Sequence, residues 1–197
     1  MSRSLKVSRV VLSLAMLAFA MGCASTDASK KETKAKKREK SIIVAQPSKV
    51  KLGEFKNVEI KPFGIAEKHA NHEGNKKSAR VMDEMLQRDL RNCFPNLKVL
   101  ADGEEFSKPA ERTLQITPFI EDMRIISTGA RIWVGPMAGN SKLKVIVTYR
   151  DSSTGEVIAN PEFGTDVSGW TDAWGSQGNK MRDEVCREIA FYTLSNK

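Results

Sequence analysis

Apolar residues recur along this chain with two different periods, and the changes of period mark its elements. From Lys142 to Arg150, Leu143, Val145, Val147 and Tyr149 alternate with Lys142, Lys144 and Thr148. That two-residue repeat is the signature of a strand with one buried face. Asp151 to Gly155 has turn chemistry, so Glu156 to Phe163 is predicted to return as a hairpin partner. Upstream, Leu114, Ile116 and Ile120 predict a strand with Thr113, Gln115 and Thr117 facing away. Val58 and Ile60 alternate within Phe55–Phe63, and Lys61, Pro62 and Gly64 end that strand. Ile42–Ala45 and Leu97–Leu100 are shorter strand candidates.

Two segments follow the helical period instead. Ala79, Met82, Met85, Leu86, Leu90 and Cys93 recur at three and four residues, which predicts a helix over Lys76–Phe94 with one apolar face. Arg80, Glu84 and Arg88 occupy the other side as i, i+4 partners. Asn75 is the candidate N-cap, and Pro95 prevents continuation. Met181, Val185, Ile189 and Ala190 predict a second helix over Lys180–Leu194. The order is β-β-α-β-β-β-β-α. Two one-sided helices must cover a sheet, so the expected fold is α+β, a mixed or antiparallel sheet with two helices packed on one face.

The amino terminus has a different character. Arg3, Lys6 and Arg9 precede an apolar run from Val10 to Met21, closed by Gly22 and Cys23. That is the layout of a secretory signal. As a helix the run reaches roughly 18 Å. A bilayer core is about 30 Å thick, so a permanent span is not expected. Ala20–Cys23 resembles a bacterial lipobox in its Gly22 and Cys23, whereas Ala20 and Met21 depart from the usual form. The resemblance implies cleavage before Cys23 and lipidation of its sulfur, and several acyl chains make such an anchor stable. Ala24 and Ser25, with no Asp after the cysteine, resemble lipoproteins sorted to the outer membrane. Residues 1–22 are therefore read as a signal peptide, 23–40 as a lipidated cysteine with a flexible basic tether, and 41–197 as a single domain. The tether lacks the apolar content needed to offset its ordering entropy.

Charge changes the picture only after it is placed. The chain carries 32 basic and 24 acidic residues, a net charge of +8. Residues 41–197 hold 22 of the basic and 21 of the acidic ones, so the body is nearly neutral. A nucleic-acid-binding domain needs its cations on the folded surface. No nucleic-acid partner is expected.

Candidate chemistry is sparse. Gly129–Gly139 is rich in glycine and carries apolar Trp133, Val134 and Met137. It is not a phosphate loop, because no Gly-Lys-Ser/Thr follows. Arg131, Trp133, Gly135 and Gly139 are the candidate interaction loop. Trp170 and Trp174 flank a second loop and could anchor a partner. His69 and His72 have metal-like spacing but no evident third ligand, so neither a metal nor another cofactor is expected. Cys93 and Cys186 form a candidate disulfide, since export leads to an oxidising compartment. Glu121–Asp122 and Asp183–Glu184 read as solvated faces. No nucleophile stands with a matched base, so the chain is not expected to be an enzyme.

Thr128–Arg131, Gly135, Ala138–Gly139, the strand Leu143–Thr148, Asp151 and Thr154–Ile158 together resemble the bacterial lipoprotein family of unknown function numbered 4410, DUF4410. The resemblance covers Ser41 to the carboxyl end and is strongest from Gly129 to Ile158. It implies fold more than activity, because its motifs are structural. The expected protein is a non-enzymatic envelope lipoprotein on the outer membrane, facing the periplasm and binding an unidentified envelope protein. The alternative is an assembly or regulatory lipoprotein, similar to a cell-wall synthase activator or a secretion-complex subunit.

Overall fold

The computed structural model describes residues 45–107, 111–126, 133–134, 137, 139–167 and 177–197. The signal, Cys23, the tether and Ile42–Val44 lie outside the described residues, and Ala45 belongs to no strand. A 3-10 turn at Leu52–Glu54 leads into β1 (Asn57–Ile60), β2 (Gly64–Ile65), α1 (Glu67–Ala70), α2 (Glu73–Cys93) and β3 (Leu97–Val99). Then come β4 (Thr113–Arg124), β5 (Ser141–Asp151), β6 (Val157–Ala159), β7 (Glu162–Val167) and α3 (Gln177–Ser195). The strands form one mixed sheet in the order β3-β1-β4-β5-β6, with β2 also along β4 and β7 also along β5. This is the expected α+β fold.

The centre is the antiparallel β4–β5 hairpin. Leu114, Ile116 and Ile120 on β4, and Leu143, Val145, Val147 and Tyr149 on β5, are fully or almost fully buried. α2 adds Ala79, Met82, Leu86, Leu90 and Cys93, and α3 adds Met181, Val185, Cys186, Ile189 and Tyr192. Met85 and Ala190 are only partly covered. β1 pairs in parallel with both β3 and β4, so α2 is the crossover of a β-α-β unit.

Three predicted strands differ in extent. Phe55–Phe63 is two strands, β1 and β2, separated by Lys61–Phe63. Pro118 accounts for the break. Lys61 N donates to Ile116 O, and Ala66 N to Ile120 O, so alternate residues of β4 turn their backbone toward β1 and β2. Pro118 falls in that phase and has no N–H to give. The Phe63 N–H inside the break donates to Asp83 Oδ1 at 2.8 Å. The return strand is likewise split at Asn160–Pro161, into β6 and β7. β4 runs past Ile120 to Arg124 through a register shift between Ile120 and Asp122.

Burial pushes the Asp83 carboxyl up to about 6, against the Phe63 N–H that favours its charged form. Its ordinary value is 3.8, so the folded chain binds the extra proton between the two. Stability from this site is therefore present at low pH and is lost as pH rises through about 6. Asp83→Asn keeps the acceptor and removes the charge. It is expected to gain about 1 kcal/mol at pH 7.5, discounted for partial exposure, and nothing at pH 4. Urea titrations at both pH values check this, and an equal effect at both would contradict it.

α2 starts earlier than the predicted N-cap. His72 holds the cap position without a side-chain bond, and Asn75 sits within the first turn. Asn75 Nδ2 donates to His69 O at 3.1 Å, because α1 brings that carbonyl close.

The candidate Cys93–Cys186 disulfide does not form. Both are buried free thiols. Arg182 Nη1 donates to Ser78 Oγ, Cys186 Sγ to Met82 O and Lys197 Nζ to Cys93 O, each across 104 positions. That constant offset means α2 and α3 run parallel and in step. Cys186 is thus level with Met82, roughly 16 Å along the axis from Cys93. A disulfide needs Cα atoms about 4.4–6.8 Å apart. Burial pushes the Cys186 thiol up to about 12 and raises Cys93 as well, so both act as small apolar residues.

Candidate functional site

The β4–β5 hairpin carries the apolar candidate residues. Its base is closed by Ile126 N donating to Ser141 Oγ at 3.2 Å. Gly139 re-enters the hairpin with φ of 95°, a conformation that suits glycine. A Cβ there would lie 3.0 Å from Arg124 Nη2, so the guanidinium rests against the Gly139 backbone. Gly178 at the start of α3 abuts the same base, where a Cβ would meet Ile125 Cγ2 at 2.9 Å. Beyond that base, Trp133 is 89% exposed, Met137 87% and Val134 54%. Arg131 and Gly135 lie outside the described residues, as do Trp170 and Trp174.

The sheet face away from the helices carries paired charge. The register shift after Ile120 separates two sets of ion pairs. Lys144 Nζ lies 2.6 Å from Glu121 Oε2 and 2.9 Å from Glu162 Oε2. Asp122 takes Lys142 Nζ at 3.1 Å and His69 Nε2 at 2.9 Å. Burial alone would raise the Asp122 carboxyl, but Lys142 and His69 hold it below its ordinary value. Glu121 and Asp122 are therefore cross-strand partners rather than a solvated face. Phe119, 40% exposed, leans over Gly64, where a Cβ would lie 2.8 Å from its ring.

His69 is engaged with Asp122, and His72 stands at the N-cap position of α2 without a side-chain hydrogen bond to the helix. Among the described residues no three of His, Cys, Asp and Glu gather to hold a metal ion.

Three polar groups escaped sequence reasoning. Glu59 on β1 is 5% exposed and accepts from Ser107 N at 3.1 Å, Ser107 Oγ at 2.5 Å and Lys98 Nζ at 3.2 Å. Burial pushes that carboxyl up, yet the donors outweigh it and hold it below its ordinary value. The connection after β3 thus roofs part of the open face, where Thr113 and Gln115 are buried instead of solvated. Asp151 accepts from Ser153 N at 2.9 Å and Arg112 Nε at 2.7 Å, which ties the β5 turn to the start of β4. The Asp-Ser-Ser-Thr-Gly composition signalled the turn but not Arg112. Tyr149 and Thr193 form a buried hydroxyl pair at 2.7 Å. All three groups are anchors of the fold.

Among the described residues no helix is long and apolar enough to cross a membrane. No protein-family model matches the chain, so the DUF4410 resemblance rests on its own motifs. No curated protein matches it either. Several solved structures are similar at low identity. XCC0632 from Xanthomonas campestris, of the DUF330 family, shares 12% identity over 71% of this chain and 84% of its own, with a TM-score of 0.49. PelC from Paraburkholderia phytofirmans, a dodecamer, shares 13% identity over 71% and 90%, with a TM-score of 0.46. A protein of Caulobacter crescentus described as a candidate lipoprotein shares 12% over 68% and 88%, with a TM-score of 0.32. Likenesses at these values carry no activity to this chain, which stands as a helix-backed sheet with an apolar hairpin tip.

Proposed function

We propose that this chain is a non-enzymatic, lipid-anchored envelope lipoprotein that binds an envelope protein through the β4–β5 tip. The observation that carries the reading is the exposure of Trp133 and Met137 at 89% and 87%, on a hairpin whose base is packed and hydrogen-bonded. Large apolar side chains held in solvent mark contact surfaces, and Trp is enriched among the residues that dominate binding energy. The lipobox and the tether supply the anchor in this reading, with acylated Cys23 in the outer membrane and the domain in the periplasm. The DUF4410-like motifs belong to the same reading, since they span this hairpin and the following turn.

A photo-crosslinking side chain at Met137, activated in intact envelopes, tests it. A discrete protein adduct is expected. Trp133→Ala should reduce its yield by roughly tenfold or more, the loss of a binding hot spot of about 2 kcal/mol. The exposed Trp133 contributes little to folding, so the melting temperature should stay unchanged. Adducts with lipid alone, or a yield indifferent to Trp133, would contradict the reading.

A further inference from the structure

α2 and α3 start level with each other. Arg182 Nη1 donates to Ser78 Oγ at 2.9 Å, and the constant offset of 104 positions carries that level back to both helix starts. Gly178 abuts Ile125 at the base of the β4–β5 hairpin, so both starts lie at the pole that carries the tip. Aligned peptide groups give each helix start about half a positive charge, which favours acidic side chains there.

The residues at this pole break that preference. Between the helix starts and the Ser78–Arg182 bond stand four cations, Lys76, Lys77, Lys180 and Arg182, and one acid, Glu73. Glu73 is taken by Lys76 at 2.8 Å. Lys77, Lys180 and Arg182 make no ion pair among the described residues. Burial works against the Arg182 charge, and its Nε has no acceptor. Exposed Arg124 adds a further cation at the hairpin base, against Gly139. Cations gathered at two positive helix ends repel, so the fold gains nothing from their sign. A local rule broken without gain to the fold marks a functional surface.

The chain enters the domain at the other pole. Ser48 N donates to Asn196 Oδ1 at 2.8 Å, Leu52 N to Asn196 O at 2.7 Å and Tyr192 OH to Gln46 O at 2.8 Å. From Gly178 to Ser195, α3 covers about 26 Å. Tip and point of entry are thus at opposite poles, which favours a protein over the anchoring bilayer as what the tip meets.

We propose that the envelope protein met by the tip presents an apolar pocket with an acidic rim. The pocket takes Trp133, and carboxylates of the rim face Lys77, Lys180 and Arg124. This rests on the tip reading above and names the chemistry of its partner. Complementary charge around an apolar anchor steers encounter and fixes register.

The photo-crosslinker at Met137, used in intact envelopes with the full chain, reads the charge dependence. Lys77→Glu with Lys180→Glu should lower the yield of the protein adduct at least about fivefold. The melting temperature should hold or rise, because acids then replace cations at positive helix ends. Lys77→Gln with Lys180→Gln only removes the charge and should lower the yield about twofold. Lys51→Glu with Lys56→Glu makes the same charge change at exposed sites of the entry pole and should leave the yield unchanged. An adduct that still depends on Trp133 but ignores Lys77→Glu with Lys180→Glu would overturn the acidic rim and leave the tip reading standing. Equal losses from both charge reversals would overturn the rim as well, since net charge alone would then be the cause. Charge-dependent adducts to lipid in place of protein, or no adduct at all, would overturn both.

Discussion

Leu86→Ala is expected to destabilise the domain by about 2–5 kcal/mol. Leu86 is 1% exposed at the middle of α2, within the core that joins α2, α3 and the sheet. Truncation removes three carbons from close packing, and rigid neighbours on every side leave a cavity. Domains of this kind hold only about 5–15 kcal/mol in all, so the loss is a large fraction. The melting temperature should fall on the order of 10 °C. Glu84→Ala, on the exposed side of the same helix, is the control and should move stability by less than about 0.5 kcal/mol. Urea titration reads both. A Leu86→Ala cost below about 1 kcal/mol would mean that α2 does not seal the core.

Thr193→Val should cost about 1–3 kcal/mol, for a reason that the geometry makes asymmetric. Thr193 Oγ1 donates to Ile189 O at 2.8 Å. A hydroxyl has one proton, so across the 2.7 Å contact Tyr149 is the donor and Thr193 the acceptor. Tyr149 is fully buried, and burial raises its phenol far above its ordinary value, so it stays protonated. Valine at 193 leaves that O–H without a partner in a dry core. Tyr149→Phe leaves Thr193 still bonded to Ile189 and should cost only about 0.5–1.5 kcal/mol. In a Tyr149→Phe background, Thr193→Val should cost less than it does alone. Additive costs in the double-mutant cycle would contradict this assignment of donor and acceptor.

How far the sequence carried these conclusions depended on whether the cause was local. β5 was legible because its whole length has one face against the helices, so Leu143 to Tyr149 wrote their burial into a two-residue period. α2 was legible for the same reason at the helical period. The break between β1 and β2 was not, because its cause, Pro118, sits on a neighbouring strand more than fifty residues away in the chain. The parallel pairing of β1 with β3 and β4 leaves no local mark. Cys93 and Cys186 looked compatible because each lies on an inner helix face. Only the parallel, in-step arrangement of α2 and α3 separates them. At the candidate site, Trp133, Val134 and Met137 were legible as apolar residues in a glycine-rich stretch, where neither period assigns them to a core. Glu59, Asp151 and Thr193 were not, since Ser107, Arg112 and Tyr149 reach them across long sequence separations.

In this reading a folded binding domain is carried by acyl chains on one cysteine instead of by a spanning helix. Mass spectrometry of the mature chain isolated from envelopes tests it most directly, on the tryptic peptide Cys23–Lys30. The account predicts that the chain begins at Cys23, with a diacylglyceryl group on the sulfur and a further acyl chain on its amine. A chain that begins elsewhere, or a Cys23 with an unmodified thiol, would contradict it.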